Sequence, residues 1–246
     1  MFNPRARDTD EDWRELGATE PFWAVLTTPE FRSENLTSGR MQTFYDSGAV
    51  LMDRVAAKLD QITGVRPGGR ALDFGCGTGR LAKAMTRHAS SVVGYDISPG
   101  MLKEARRSGG DVTYTDTLPD GPFDWINSFI VFQHIPPERG LALLEQLLDR
   151  LAPGGHVSLQ LTVWREARLR RRRPPGWRGL VVDVARALER SPTPPKGLIM
   201  MYDYDLARVL ELLDAHGVED VLLEPTNHDG HRGVTILARR NPAPTA

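Results

Sequence analysis

The segment Ala71-Leu72-Asp73-Phe74-Gly75-Cys76-Gly77-Thr78-Gly79 runs from residues suited to a short buried strand into glycines at every second position. Glycines placed this way let the backbone approach a ligand closely where the next helix begins. Their spacing is G-x-G-x-G, whereas a dinucleotide site uses G-x-G-x-x-G to seat a pyrophosphate on a helix amino terminus. Asp73 precedes the first glycine by two positions, where a carboxylate can hold a cation on the ligand. Twenty-one residues after Gly75 comes Asp96, at the end of the strand Val92 to Tyr95. That is close to the roughly 20-residue offset at which a carboxylate hydrogen-bonds ribose hydroxyls.

Working outward, Leu51, Val55, Leu59 and Ile62 recur at helical spacing, and Gly64 with Pro67-Gly68-Gly69 ends the pattern, so a helix is predicted from Arg40 to Ile62. The first 35 residues read as an acidic loop, but Trp13, Phe22, Trp23 and Phe31 give it enough aromatic surface to pack on the body as a cap or lid. Downstream, predicted helices through Leu81 and Met85 and from Pro99 to Arg107 alternate with strands at Val92 to Tyr95, Val112 to Thr115 and Phe123 to Ile130. A helix through Leu141, Leu144, Leu148 and Leu151 is stopped by Pro153-Gly154-Gly155, and Val157, Leu159, Leu161 and Val163 mark a further strand. The helix Tyr204 to His216 then leads to strand Val218 to Leu223 and, after a polar turn, strand Val234 to Arg239, a pair close enough in sequence to run antiparallel. The expected fold is α/β, doubly wound, with a mostly parallel sheet, an antiparallel last strand and helices on both faces. The 246 residues are expected to form one domain: an amino-terminal cap over 1–39, a ligand-binding core over 40–163, a basic insertion over 164–203, and a helix with a strand pair over 204–246.

Ala-Leu-Asp-Phe-Gly-Cys-Gly-Thr-Gly-Arg, followed by Val-Val-Gly-Tyr-Asp-Ile-Ser-Pro-Gly-Met-Leu, resembles the first two motifs of class I methyltransferases. Asp116-Thr117, Phe123 to Ser128 and Leu151 to Gly155 match later motifs in order, so the resemblance covers about Arg70 to Val163. It implies a seven-stranded sheet and S-adenosylmethionine as cofactor. It also implies that Phe74, Gly75, Cys76, Gly77 and Gly79 flank the methionine moiety, that Asp73 meets its amino group and that Asp96 holds the ribose hydroxyls. Ile97 and Met101 would contact adenine, Asp116 with Thr117 would face its amine, and Ser128 and Phe129 would lie beside the sulfonium. Cys76 reads as a small residue of the turn, with no nucleophilic role.

Methyl transfer needs an aligned acceptor and, for a hydroxyl, a base. His134, after the fourth strand, is the expected candidate, although histidine at this point also serves packing. Trp23, Tyr45, Tyr202 and His231 are expected on the acceptor side. His228 and His231 otherwise read as part of a polar surface turn, and their spacing with Asp229 is weak evidence for a metal, so none is expected. From Arg165 to Lys196, ten basic residues face three acidic ones, a net +7. This is either a solvated basic face or a seat for an acidic, phosphate-bearing or carrier-bound acceptor.

Over the whole chain 31 basic residues offset 32 acidic ones, so nucleic acid is not the expected partner. The chain lacks the Asn-Pro-Pro-Tyr-like stretch of amino-group nucleic-acid methylases and, with Cys76 its only cysteine, the second-site thiol of cytosine C5 methylation. The charged amino terminus, the absence of a long apolar run and the single cysteine suggest a cytoplasmic protein with no membrane segment. The expectation is therefore a small-molecule methyltransferase of specialised metabolism, acting on oxygen before nitrogen. The alternatives are an RNA or protein target met through the arginines, or a non-catalytic S-adenosylmethionine-binding partner. The oligomeric state stays open.

Overall fold

Strand β1 (Arg70–Phe74) is buried over its last four residues because β2 (Ser91–Tyr95) and β4 (Phe123–Ser128) pair with it in parallel on either side. The computed structural model describes residues 9–169 and 197–243. Its sheet has seven strands in the order β3-β2-β1-β4-β5-β7-β6, with β3 (Val112–Thr115), β5 (Leu151–Arg165), β6 (Val218–His228) and β7 (His231–Arg240). Only β7 runs against its neighbours, pairing antiparallel with both β5 and β6. The strand order reverses at β1 and β4, so the crevice at their carboxyl ends is where such sheets bind ligands.

Helices cover both faces. On one, α3 (Ser38–Thr63), α4 (Arg80–Met85) and α5 (Pro99–Arg107) bury Met52, Leu59, Met85 and Leu102 against Ala71, Trp125 and Leu237. On the other, α6 (Pro137–Asp149) and the helix Leu206–Ala215, here α7, bury Leu144, Leu148, Val209 and Leu213 against Leu72, Leu159 and Ile236. The predicted architecture is the one observed. Helix α3 is capped at both ends by its own sequence: the Thr37 hydroxyl accepts from the Arg40 N–H, and Gly64 at φ 68° closes the last turn.

Four local predictions need correction. The amino-terminal segment is helical, with α1 (Thr9–Thr19) and α2 (Pro21–Val25). Helix α1 seats on α5 where glycines meet: a Cβ on Gly17 would lie 2.1 Å from the Ser98 Oγ, and one on Gly100 would lie 2.3 Å from the Gly17 carbonyl. Leu151 belongs to β5, not to the preceding helix, because it pairs with Phe123, whose N–H donates to the Arg150 carbonyl at 2.8 Å. Tyr204 precedes α7, whose amino-terminal cap is the Asp205 carboxylate.

The fourth concerns the polar turn expected between the last strands. It is only Asp229-Gly230, with φ 47° and 90°, so His228 and His231 are cross-strand partners at the end of a long hairpin. Two consecutive positive φ values are the backbone of the tightest hairpin turns, for which Asp-Gly is a preferred pair. The arginines from Arg170 to Arg190 lie outside the described residues. Among the described residues no helix is long and apolar enough to cross a membrane.

Candidate active site

At the carboxyl end of β1 the chain turns into α4 through Gly75, Gly77 and Gly79, all at positive φ. Gly75, at φ 74°, has the Val131 side chain 2.4 Å from where a Cβ would stand, so both its conformation and its surroundings require glycine. The turn is tied to the next strand, since the N–H groups of Gly75 and Cys76 both donate to the Tyr95 carbonyl. Asp96 completes the tie, with Oδ2 accepting from the Gly77 N–H and Oδ1 from the Ser98 N–H, each at 2.9 Å. Each oxygen keeps a second lone pair for a ligand. Burial pushes this carboxyl up to about 6, against those two hydrogen bonds.

Asp73 ends a polar row that crosses the sheet on one face. Trp125 Nε1 donates to Ser158 Oγ at 2.9 Å, Ser158 Oγ donates to Asn127 Oδ1 at 2.7 Å, and Asn127 Nδ2 donates to Asp73 Oδ1 at 2.8 Å. The carboxylate is 2% exposed, and its Oδ2 has no hydrogen-bond partner. Burial raises its pKa to about 6, opposed by the Asn127 hydrogen bond and the charge of Arg80. A buried carboxylate oxygen without a donor fits a cationic amino group, which would supply both the missing hydrogen bond and the counter-charge.

These residues open on a cavity of about 970 Å³, part of it open to solvent. Of the residues singled out from the sequence, Asp73, Phe74, Gly75, Cys76, Gly77, Asp96, Ile97, Met101, Phe129 and His134 line it. Gly79 lies behind the turn, against the Tyr114 hydroxyl, and Ser128 is turned away, its Oγ donating to the Phe74 carbonyl at 3.0 Å. Asp116 and Thr117 are exposed just past β3. The Cys76 thiol is buried and pushed upward by burial and by Asp96 and Asp73, which keeps it protonated.

The acceptor-side candidates are scattered. Trp23 lies beneath the Arg32 guanidinium, 3.5 Å from its ring centroid. The Tyr45 hydroxyl donates to the Thr78 carbonyl at 3.4 Å, the Tyr202 N–H donates to the Gln133 carbonyl at 2.7 Å, and His231 begins β7. None of the four lines the cavity, whereas Asp10, Trp13, Val25, Arg80 and Arg139 do and were missed. Arg80 was legible as the residue closing the glycine motif. Trp13 was legible only as an aromatic residue in an acidic segment, and nothing in the sequence joined Asp10 to Arg139. In the fold these two form a bidentate pair at 2.7 and 2.6 Å, bridging α1 to α6 at the cavity.

His134 sits in the turn Phe132–His134 after β4, 5% exposed, with the Trp13 ring tilted against it at 4.8 Å. Its Nδ1 lies 2.7 Å from the Met200 carbonyl, which can only accept, so Nδ1 carries the ring proton. Nε2 is then a lone pair, meeting the Gln133 amide nitrogen at 3.2 Å. Burial pushes this histidine down to about 4, so it is neutral at physiological pH.

A glycine turn closed by Asp73 and Asp96 at the switch point of a 3-2-1-4-5-7-6 sheet defines a class I, Rossmann-like methyltransferase domain. The family model described as "Methyltransferase domain" matches residues 49–212, and the chain belongs to that family of S-adenosylmethionine-dependent methyltransferases. The chain is 37% identical over 110 residues, 42% of its length, to the ribosomal protein L11 methyltransferase of Burkholderia lata, covering 35% of that protein. It is 31% identical over 132 residues, 49% of its length, to the ubiquinone biosynthesis O-methyltransferase of Xanthomonas campestris pv. campestris, covering 52%. The chain thus spans between a third and half of the length of these curated relatives.

Among solved structures, the magnesium protoporphyrin IX methyltransferase of Synechocystis PCC 6803 with bound S-adenosylhomocysteine aligns with TM-score 0.62 and 20% identity, over 95% of this chain and all of that one. The N-methyltransferase NodS of Bradyrhizobium japonicum, also holding S-adenosylhomocysteine, aligns with TM-score 0.56 and 12% identity, over 95% and 99%. At these identities the likeness speaks for the fold.

Proposed function

We propose that this protein transfers a methyl group from S-adenosylmethionine to a small-molecule acceptor, to oxygen in preference to nitrogen, in specialised metabolism. The observation that carries the proposal is the buried, donor-less Oδ2 of Asp73 beside the Gly75 turn, with Asp96 and His134 lining the same cavity. When bound, the cofactor supplies an electrophilic methyl group on a sulfonium. The chain's part is to orient and to move a proton. Asp73 takes the cofactor's amino group, Asp96 its ribose hydroxyls, and the walls from Ile97, Met101 and Phe129 exclude water. Trp13 and Val25, both from the amino-terminal helices, close the opposite side. In this reading the described residues of the 1–39 segment are the cap.

His134 takes the acceptor's hydroxyl proton at Nε2, after the Gln133 amide has moved off that lone pair. Its neutral form is the one a base requires, and with a pKa of about 4 it is a weak base suited to an acidic hydroxyl. The first test is calorimetric titration with S-adenosylhomocysteine and, in parallel, NADH. Binding of the first alone is expected; binding of neither by folded protein, or of NADH, refutes the cofactor assignment. Substitution of His134→Gln should leave S-adenosylhomocysteine affinity within about twofold and lower kcat by the roughly 10²–10⁴-fold typical of a lost base. An unchanged kcat would remove His134 from catalysis.

A further inference from the structure

Beyond His134 the sheet carries polar side chains that no step above uses. Alternation along the ladders puts Gln160 and Thr162 of β5, Gly233 and His231 of β7, and Thr226 and His228 of β6 on the face that also presents Asp73, Asn127 and Ser158. Gln160 is 3% exposed and meets His228, which pairs across the hairpin with His231. From the turn after β4, Gln133, also 3% exposed, meets His134, and His228 and His231 are close enough to act electrostatically on that histidine.

Three members have atoms without partners. The Gln133 Oε1, the Thr226 Oγ1 and the His231 Nδ1 are all buried and unpaired. Leaving such atoms unsatisfied costs on the order of 1–3 kcal/mol each, so the cluster favours a polar partner.

The chemistry of the cluster identifies what it fits. Burial holds His134, His228 and His231 below the usual histidine range, so they present ring lone pairs and N–H groups without charge. Among the described residues the nearby guanidiniums are matched within the fold: Arg165 pairs with Asp203 at 2.9 Å, Arg168 with Glu166 at 3.0 Å and Asp229 at 2.8 Å, and Arg232 with Glu166 at 2.5 Å. Among the described residues, these three histidines with their neighbours make no group that could hold a metal ion.

We propose that Gln133, Thr226 and His231 form the acceptor subsite, and that it binds a neutral, hydroxyl-bearing group. The amide oxygen accepts one hydroxyl proton while the threonine and imidazole serve a second hydroxyl. This rests on the methyltransferase reading only for the role of the ligand, not for its binding.

The test is saturation-transfer NMR on the full chain, with and without S-adenosylhomocysteine, using two probe sets: glycerol, catechol and methyl glucoside as neutral hydroxyl compounds, and inorganic phosphate and benzoate as anions. At least one neutral probe should bind, with signals reduced fivefold or more in Gln133→Leu and in the near-isosteric Thr226→Val. Thermal midpoint and S-adenosylhomocysteine affinity serve as folding controls. Binding of anions alone, of neither set, or of neutral probes equally to wild type and both variants would overturn the subsite. Failure of S-adenosylhomocysteine to bind would instead count against the cofactor assignment, because the probe arm without it still reads the subsite.

Discussion

Replacing Asp73 by asparagine keeps the shape of the site and removes one charge. The Asn127 Nδ2 donor, 2.8 Å from Oδ1, can still be accepted by the amide oxygen of the substituted side chain. The other position, now the orphan Oδ2, becomes an N–H₂ group facing the space assigned to a cationic amine. A hydrogen bond to a charged group contributes about 1.5–3 kcal/mol, which at 1.4 kcal/mol per decade is a loss of roughly 10- to 150-fold in affinity for S-adenosylhomocysteine.

Stability should move the other way. The carboxyl's folded pKa is raised from 3.8 to about 6, so the folded state binds its proton more tightly than the unfolded one. The stabilisation this provides is complete below about 3.8 and is lost as pH rises through 6. At neutral pH the ionised group is therefore a cost, and Asp73→Asn should match or exceed the wild-type thermal midpoint. Through Asp73 alone the wild type should lose about tenfold in affinity between pH 7.5 and pH 5, given a pKa of about 6, and protonation of Asp96 should add to that loss. In the variant only the share due to Asp96, also raised to about 6, should remain. Calorimetry across that range with parallel melting curves measures both effects. An affinity unchanged by the substitution, or an identical pH slope, would refute the assignment of Asp73 to the amine.

Gly75→Ala should cost about 1–3 kcal/mol in thermal unfolding and abolish measurable S-adenosylhomocysteine binding, because the left-handed backbone and the Val131 side chain both oppose a Cβ. Adding Val131→Ala should recover part of the stability; no recovery would mean that φ alone is responsible. Asp10→Ala removes a partly exposed pair worth under about 1 kcal/mol globally. Melting should barely change, while amide exchange in α1 rises and S-adenosylhomocysteine dissociates several-fold faster. Unaltered dissociation would show that the bridge to Arg139 does not hold the cap.

The placement of the glycine turn, Asp73 and Asp96 was legible because its determinants are local. Glycine spacing, an acid two residues upstream and an acid one strand later lie within 24 residues, from Asp73 to Asp96, so strand alternation alone delivers them to one sheet end. The parallel strands followed from their alternation with helices, and the antiparallel β7 from its short connection to β6. What failed were features set by long-range contact. Leu151 has the apolar spacing of a helix, but pairing with Phe123 takes it into β5. The acidic amino terminus has weak helical patterning of its own, and α1 is stabilised by its seat on Gly100 and its bridge to Arg139.

The acceptor side was the least legible part, for the same reason. Gln133, Gln160 and Thr226 are far apart in sequence and polar, so each reads alone as a surface residue, and of the proposed subsite only His231 was singled out from the sequence. Only the registers of β5, β6 and β7 put Gln160, Thr226 and His231 on one face, with Gln133 in the turn after β4, and only in the fold does the lack of a hydrogen-bond partner acquire a cost. Thus the sequence by itself determined the fold class and the cofactor turn, because both rest on short-range pattern. The tertiary structure decided which aromatic, which ion pair and which polar side chains close the cavity, because burial and pairing exist only after the sheet has formed.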